Sequence, residues 1–325
     1  LAWRHEFTVS GYGPRRRFAS PQAVCYDAKR ERIWVADTGA SRLVAFRKSG
    51  VPLYRLRRLV SDGKGGRMPG EPCAVVVDQR GRLIVCDRLS DRIYYLDFNG
   101  YETSVIDVTR ALGANEPTRP GRLALGPDGR LYVAERNTMH VLVFGANGRF
   151  IRKFGGRGKA EGQFEMLADV AVDREGRVYA LDSIKRSPVV QVFDPNGRWL
   201  RGFGRHGHED RDFHLPVAIA ADAAGRVWIA DAFGHHVKAF TASGQFLAVF
   251  GEMGQADGQF FFPADVATGG DGTLYVLEKA GRRLQAFGIS GAADSALGGS
   301  KKGGLTGHRD TTTVVSFRRI LTHGR

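Results

Sequence analysis

The amino-acid sequence predicts an all-β fold, a six-bladed β-propeller closed by its own N-terminal strand. Three observations carry this: one motif recurs six times at near-constant spacing, each copy breaks into short apolar runs parted by turn residues, and the two ends of the repeat array complement each other. The copies are "WVADTGASRLVAF" ending at Phe46, "IVCDRLSDRIYYL" at Leu96, "YVAERNTMHVLVF" at Phe144, "ALDSIKRSPVVQVF" at Phe193, "WIADAFGHHVKAF" at Phe240 and "YVLEKAGRRLQAF" at Phe287. Each holds an acid at the same place (Asp37, Asp87, Glu135, Asp182, Asp231, Glu278), and successive acids lie 50, 48, 47, 49 and 47 residues apart. A period of this length sustained along a chain marks a repeat architecture, in which a unit buries its apolar face only against its neighbours.

The unit from Phe164 to Gly204 shows the element order most plainly. An apolar run over Val170–Val172 meets the turn "DREG", and a second run closes on the acid. A polar turn, alternating "VVQVF", the turn "DPNG" and "RWLRGFG" follow. Asp, Asn, Gly and Pro at the breaks are turn formers, and alternating runs of this length are strands, so each unit reads as four strands. No window sustains the 3.6-residue period of a long amphipathic helix. Radial repetition of four-stranded sheets is the propeller solution to the edge-strand problem. The sixth unit lacks a fourth strand of the "RWLRGFG" type after Gly288, whereas "WRHEFTVSGYG" (Trp3 to Gly13) stands unpaired at the other end, so it is expected to complete the last blade.

These residues resemble the NHL repeats. The resemblance rests on the apolar "xVAVD" strand after a proline (Pro21, Pro72, Pro216, Pro263), the "G-x-[IVL]-[YW]-[VI]-[AL]-[DE]" strand, the "[RVHK]-[LIV]-x-x-F" strand and linkers such as "FGGRGKAEGQF". It covers roughly residues 3–290 and implies the fold rather than an activity, since one scaffold hosts many functions. The expected domains are therefore a propeller over 1–290 and a basic tail over 291–325, Gly, Ser and Ala-rich at first, with one β-branched stretch at 311–321. A lone strand there would add to a blade edge or to another protein, so the tail over 305–325 is a candidate docking segment.

The chain carries 48 Lys and Arg against 34 Asp and Glu, a net charge of +14, with a pI near 10. Such a field attracts phosphate or acidic surfaces without specifying which. No run of 18 apolar residues is present, so no membrane span is expected. The three cysteines, Cys25, Cys73 and Cys86, all fall in expected strands and read as small buried hydrophobes; this weakly favours a reducing intracellular compartment. A start at Leu1 rather than Met is expected of a trimmed form.

The turn between strands two and three and the linker into the next blade emerge on one face. There the sequence places Arg42, Arg88, Arg92, Arg136, Lys185, Arg186, His235, His236, Arg282 and Arg283 as binding candidates. In "ALDSIKRSPVVQVF" the acid and closing Phe193 stand 11 residues apart rather than 9, which is expected to project Lys185 and Arg186 on a longer turn. Two residues after the recurring proline position come Ala23, Ala74, Arg122, Asp169, Ala218 and Asp265, so Arg122, Asp169 and Asp265 are expected at the channel mouth. The six repeated acids are expected to accept backbone N–H bonds in their turns rather than to catalyse.

The leading expectation is a non-enzymatic protein-binding scaffold, a subunit of a larger assembly that engages an acidic protein surface. The NHL resemblance implies single-stranded RNA as the alternative, although the varying turns supply only Phe233 for base stacking. A channel-mouth lyase or sugar lactonase is the third possibility. It is unsupported by the motifs: neither a nucleophile elbow nor HExxH nor CxxC occurs, no histidine falls in an inner strand, and no catalytic residue, cofactor or metal site is expected.

Overall fold

The computed structural model describes residues 1–13, 16–57, 59–61 and 67–291, with the side chains of 59–61 and 67 excepted. The tail expected to dock over 305–325, and its strand at 311–321, lie outside the described residues.

Six four-stranded antiparallel sheets follow one another along the chain. Blade 1 comprises Pro21–Asp27, Arg32–Asp37, Arg42–Arg47 and Pro52–Arg57; blade 2, Pro72–Val77, Leu83–Asp87, Arg92–Leu96 and Glu102–Asp107. Blade 3 comprises Pro120–Leu125, Leu131–Glu135, His140–Phe144 and Phe150–Gly155; blade 4, Leu167–Val172, Val178–Asp182, Val190–Phe193 and Trp199–Phe203. Blade 5 comprises Pro216–Ala221, Arg226–Asp231, His236–Thr241 and Phe246–Phe250. Blade 6 takes Pro263–Thr268, Thr273–Glu278 and Arg283–Ser290 from the end of the array and Ala2–Val9 from its start. The first strand of each blade touches the first strand of the next, and the sixth returns to the first, so the inner strands close a ring.

The core lies between blades rather than within them. Six apolar clusters each join one blade to its neighbour, the last uniting Tyr275 and Leu284 of blade 6 with Val24, Ile33 and Phe46 of blade 1. Aromatic residues recur at matched positions: Trp34, Tyr132, Tyr179, Trp228 and Tyr275 in second strands, and Phe18, Phe164, Phe213 and Phe260 in linkers, all at most 2 % exposed. Each linker Phe stands three residues before the first strand's opening position and plugs the seam that its blade shares with the preceding one.

The N-terminal strand takes the outer-strand role in register. Trp3 packs on Phe250 and Phe287 at 5.3 Å, and Trp3 and Phe7 cover Gly258 and Gly50. Phe154 covers Gly197 and Phe203 covers Gly244 in the same way, and a Cβ on any of these turn glycines would collide with its ring. In all six blades the register slips by one residue just after the first strand's opening residue. A bulge re-aims the side chain that follows it, which accounts for the placement of Arg122, Asp169 and Asp265 described below.

Because the closing strand covers the outer edge of Arg283–Ser290 and reinforces the inner-strand contact between blades 6 and 1, removing residues 1–13 should expose that edge and the blade 6 aromatics together. The melting midpoint is expected to fall by on the order of 10 °C or more, with a broadened transition; calorimetry of the truncated chain against the full one measures it.

Candidate functional site at the channel mouth

The face of the linkers and of the turns between strands two and three is organised by the repeated acids, each fully buried. Asp182 accepts N–H bonds from Glu165 and Met166 in the incoming linker and from Ile184 and Lys185 in the turn. Glu135 holds Arg119 on one side and Asn137 and Thr138 on the other. Asp231 holds His214 and Leu215, then Gly234. The sequence reading placed these bonds within the turn; they also clamp the linker, which is why the acid recurs. In spite of their burial, these N–H groups and the Lys238 ammonium hold Asp231 below the usual carboxylate range.

Two candidate residues prove to serve this clamp. Lys185 does not project: it is 4 % exposed, and its Nζ donates to the carbonyls of Ala160 and Gln163, each at 2.9 Å. Burial pushes its pKa down. The two extra residues of its turn let the backbone fold the lysine inward while Arg186 stays exposed. Arg283 is likewise buried, bonded to Glu278 at 2.6 Å and to the carbonyls of Gln255, Ala256 and Gln259. Lys238 makes the equivalent reach in blade 5 to the Asp212 carbonyl. Arg42 is largely engaged as well, with Asp37 at 2.9 Å and with the Arg17 carbonyl.

Arg88, Arg136, Arg186 and Arg282 remain exposed on the face, with Arg92, His235 and His236 half-buried. His235 is not isolated: its ring lies 5.9 Å from Phe261 and 4.8 Å from Phe262, and Phe262 meets Phe233 edge-on at 5.8 Å. Phe233 alone is visible in the turn because Phe261 and Phe262 belong to the following linker, Phe262 lying 27 residues beyond His235 in sequence but beside it in space.

At the mouth itself the three bulge residues come together. Arg122 Nη1 lies 2.9 Å from Asp265 Oδ2 and its Nη2 donates to the Ala264 carbonyl, joining blade 3 to blade 6 across the ring. Asp265 accepts the Val24 N–H of blade 1, and Asp169 accepts the Ile219 N–H of blade 5 and its neighbour's at Val170. Burial pushes the Asp169 carboxyl up to about 7 and raises Asp265 as well, against the pull of Arg122. Both carboxylates oppose the desolvation of Arg122 and keep its pKa raised.

Beside this cluster, between blades 2 and 3, opens a cleft of about 840 Å³. Arg88, Arg92, Arg119, Arg122 and Arg136 line it, and Asp91 is the one carboxylate among the lining residues. Among the described residues no three His, Cys, Asp or Glu side chains gather in a metal-binding group, and His206 and His208 join none with His235 and His236. The three cysteines are unpaired thiols whose pKa values burial raises. No helix among the described residues is long and apolar enough to cross a membrane.

The family DUF5128, described as a 6-bladed beta-propeller, matches residues 121–207. Among curated proteins none matches the chain. Solved structures resemble it in fold at low identity. A protein from Bacteroides thetaiotaomicron superposes with a TM-score of 0.65 at 14% identity, covering 88% of this chain and 76% of that one. A gluconolactonase from Xanthomonas campestris gives 0.61 at 15%, covering 83% and 86%. Virginiamycin B lyase from Staphylococcus aureus gives 0.58 at 10%, covering 89% and 100%.

Two outcomes follow for these residues. Lys185→Glu should cost about 3 kcal/mol or more, because it buries a carboxylate against two carbonyls and Asp182. Arg186→Glu, one residue on and exposed, should stay within about 0.5 kcal/mol, and urea unfolding distinguishes them. A carboxyl raised in the folded state favours folding while protonated, so Asp169 contributes stability that is lost as pH rises from about 4, its unfolded value, through about 7. Asp169→Asn cannot titrate, so its stability relative to the parent should improve between pH 5 and pH 8, as unfolding curves at the two pH values will show.

Proposed function

We propose that the chain is a non-enzymatic, NHL-type propeller that docks an acidic protein partner on its linker face. The observation that carries this reading is the composition of that face. Two residues after the buried acid, at the turn tips, three copies expose a large apolar side chain: Leu89 at 48%, Ile184 at 51% and Phe233 at 62%. Met166 and Met253 stand exposed in the neighbouring linkers, and exposed arginines lie between these residues. Arginine, methionine and aromatic residues are the types enriched at the centres of protein interfaces, where lysine is depleted. A rigid ring carrying variable tips is a scaffold suited to such recognition. The grammar of all six units supports the NHL assignment, and the match at 121–207 supports the propeller within it.

One observation favours single-stranded RNA as a second reading. The rings of Phe233, His235, Phe261 and Phe262 form a contiguous aromatic group on a basic face, the pairing of stacking and charge that sequence-tolerant RNA binding uses.

Isolation of the native complex at physiological salt tests both. A protein neighbour should be retained by the parent chain and by Arg149→Glu on the opposite rim, and lost from Ile184→Glu/Phe233→Glu without a change in melting temperature. If instead a short RNA strand binds, with affinity that falls at Phe233→Glu, the second reading replaces the first. Retention unaffected by the paired substitution overturns the assignment of this face.

A further inference from the structure

The cleft between blades 2 and 3 marks a departure from the repeat. In the linkers before blades 1, 4, 5 and 6 a buried Phe plugs the seam: Phe18, Phe164, Phe213 and Phe260. Before blades 2 and 3 that position holds Pro69 and Pro117, both exposed, and before blade 3 a short helix at Val108–Leu112 also replaces the glycine-rich linker. The seam mouth therefore stays open, and the repeat's aromatic plug is exchanged for guanidinium groups.

Those groups are incompletely neutralised. Arg88 is turned to Glu71, Arg122 is engaged by Asp265, and Arg92 reaches Asp107 only at 4.0 Å. Arg119 and Arg136 have no carboxylate partner among the described residues; Arg136 donates to the Ala168 carbonyl at 3.1 Å. Desolvation first, and the nearby Arg122 after it, push the Arg136 pKa down. Guanidinium forks bind phosphate and carboxylate in paired geometry, and a doubly charged oxyanion relieves their mutual repulsion. The volume, about 840 Å³, falls within the range of small-molecule sites and exceeds what an inorganic ion fills. Leu89 and Pro117 supply apolar wall for the remainder of a ligand.

We propose that this cleft binds a small organic anion bearing a phosphate or several carboxylates, held chiefly by Arg119 and Arg136. The inference rests on Arg119 and Arg136 rather than on the apolar tips that engage the protein partner, although Leu89 borders both surfaces.

Isothermal titration of the full chain at 150 mM salt, a condition chosen to screen diffuse charge, with phenyl phosphate, citrate and inorganic phosphate tests it. Phenyl phosphate or citrate should bind one to one and more tightly than inorganic phosphate, and the tighter of the two assigns the class. Arg119→Ala/Arg136→Ala should weaken binding on the order of ten-fold per guanidinium, and Arg149→Ala on the other rim should leave it unchanged. Pro117→Phe, which restores the repeat's plug, should block binding with the melting temperature kept or raised. No saturable uptake of either organic anion, or equal affinity in the double variant and Pro117→Phe, overturns the proposal. A chain that retains its protein partner yet binds none of the three anions overturns it too, while the partner reading stands.

Discussion

The architecture depends on one repeated interaction, a buried carboxylate at the end of each second strand. A carboxylate removed from water is costly unless its lone pairs are filled. At Glu135, Asp182 and Asp231 it is filled by two loops, the incoming linker and the following turn, whereas Asp37 and Glu278 hold linker N–H groups and take Arg42 and Arg283 in place of the turn. The acid thus converts its own desolvation into a joint between successive blades. Where a single acid does not suffice, Lys185, Lys238 and Arg283 extend the clamp to linker carbonyls. Blade 2 shows the limit: Asp87 receives the Leu89 N–H, but its Oδ2 is buried without a partner among the described residues. The irregular blade is also the one that borders the cleft.

Departures from regularity consequently carry more functional information than the regular positions. Six equivalent seams would give a closed, featureless mouth. Pro117 in place of the linker Phe, together with the helix at Val108–Leu112, leaves the seam between blades 2 and 3 open, and the change from Ala to Arg122, Asp169 or Asp265 at three bulge positions charges the centre. These changes leave the ring intact because the bulge directs their side chains to the mouth and not into a seam, so a substitution there does not disturb packing between blades.

The number of blades, the strand order and the closing role of Trp3 and Phe7 were readable in the sequence, because turn chemistry and apolar alternation are local and repeat six times. The meeting of Arg122 with Asp265 was readable from their shared repeat position alone, although they lie on opposite sides of the ring. What could not be read was side-chain direction within a turn. Lys185 and Arg186 are adjacent and alike in charge, yet one is buried and the other exposed, because linker carbonyls of Ala160 and Gln163 happen to face the first. The grouping of Phe261 and Phe262 with His235 escaped for the same reason: linker and turn come from different blades and meet only once the ring is folded.

Arg122 belongs to both features of the mouth, the cross-ring ion pair and the cleft. Its guanidinium offsets the buried charge of Asp265 and Asp169, whose carboxyls are already raised by burial. An anion in the cleft draws on the same positive charge, so the field that favours ionised Asp169 weakens when the site fills. Linkage then requires the converse: protonation of Asp169 leaves Arg122 less compensated and the cleft more attractive to an anion. Since Asp169 titrates about 7, that coupling falls where small changes in pH alter its charge, and it needs no movement of the blades, only a redistribution of charge around one arginine.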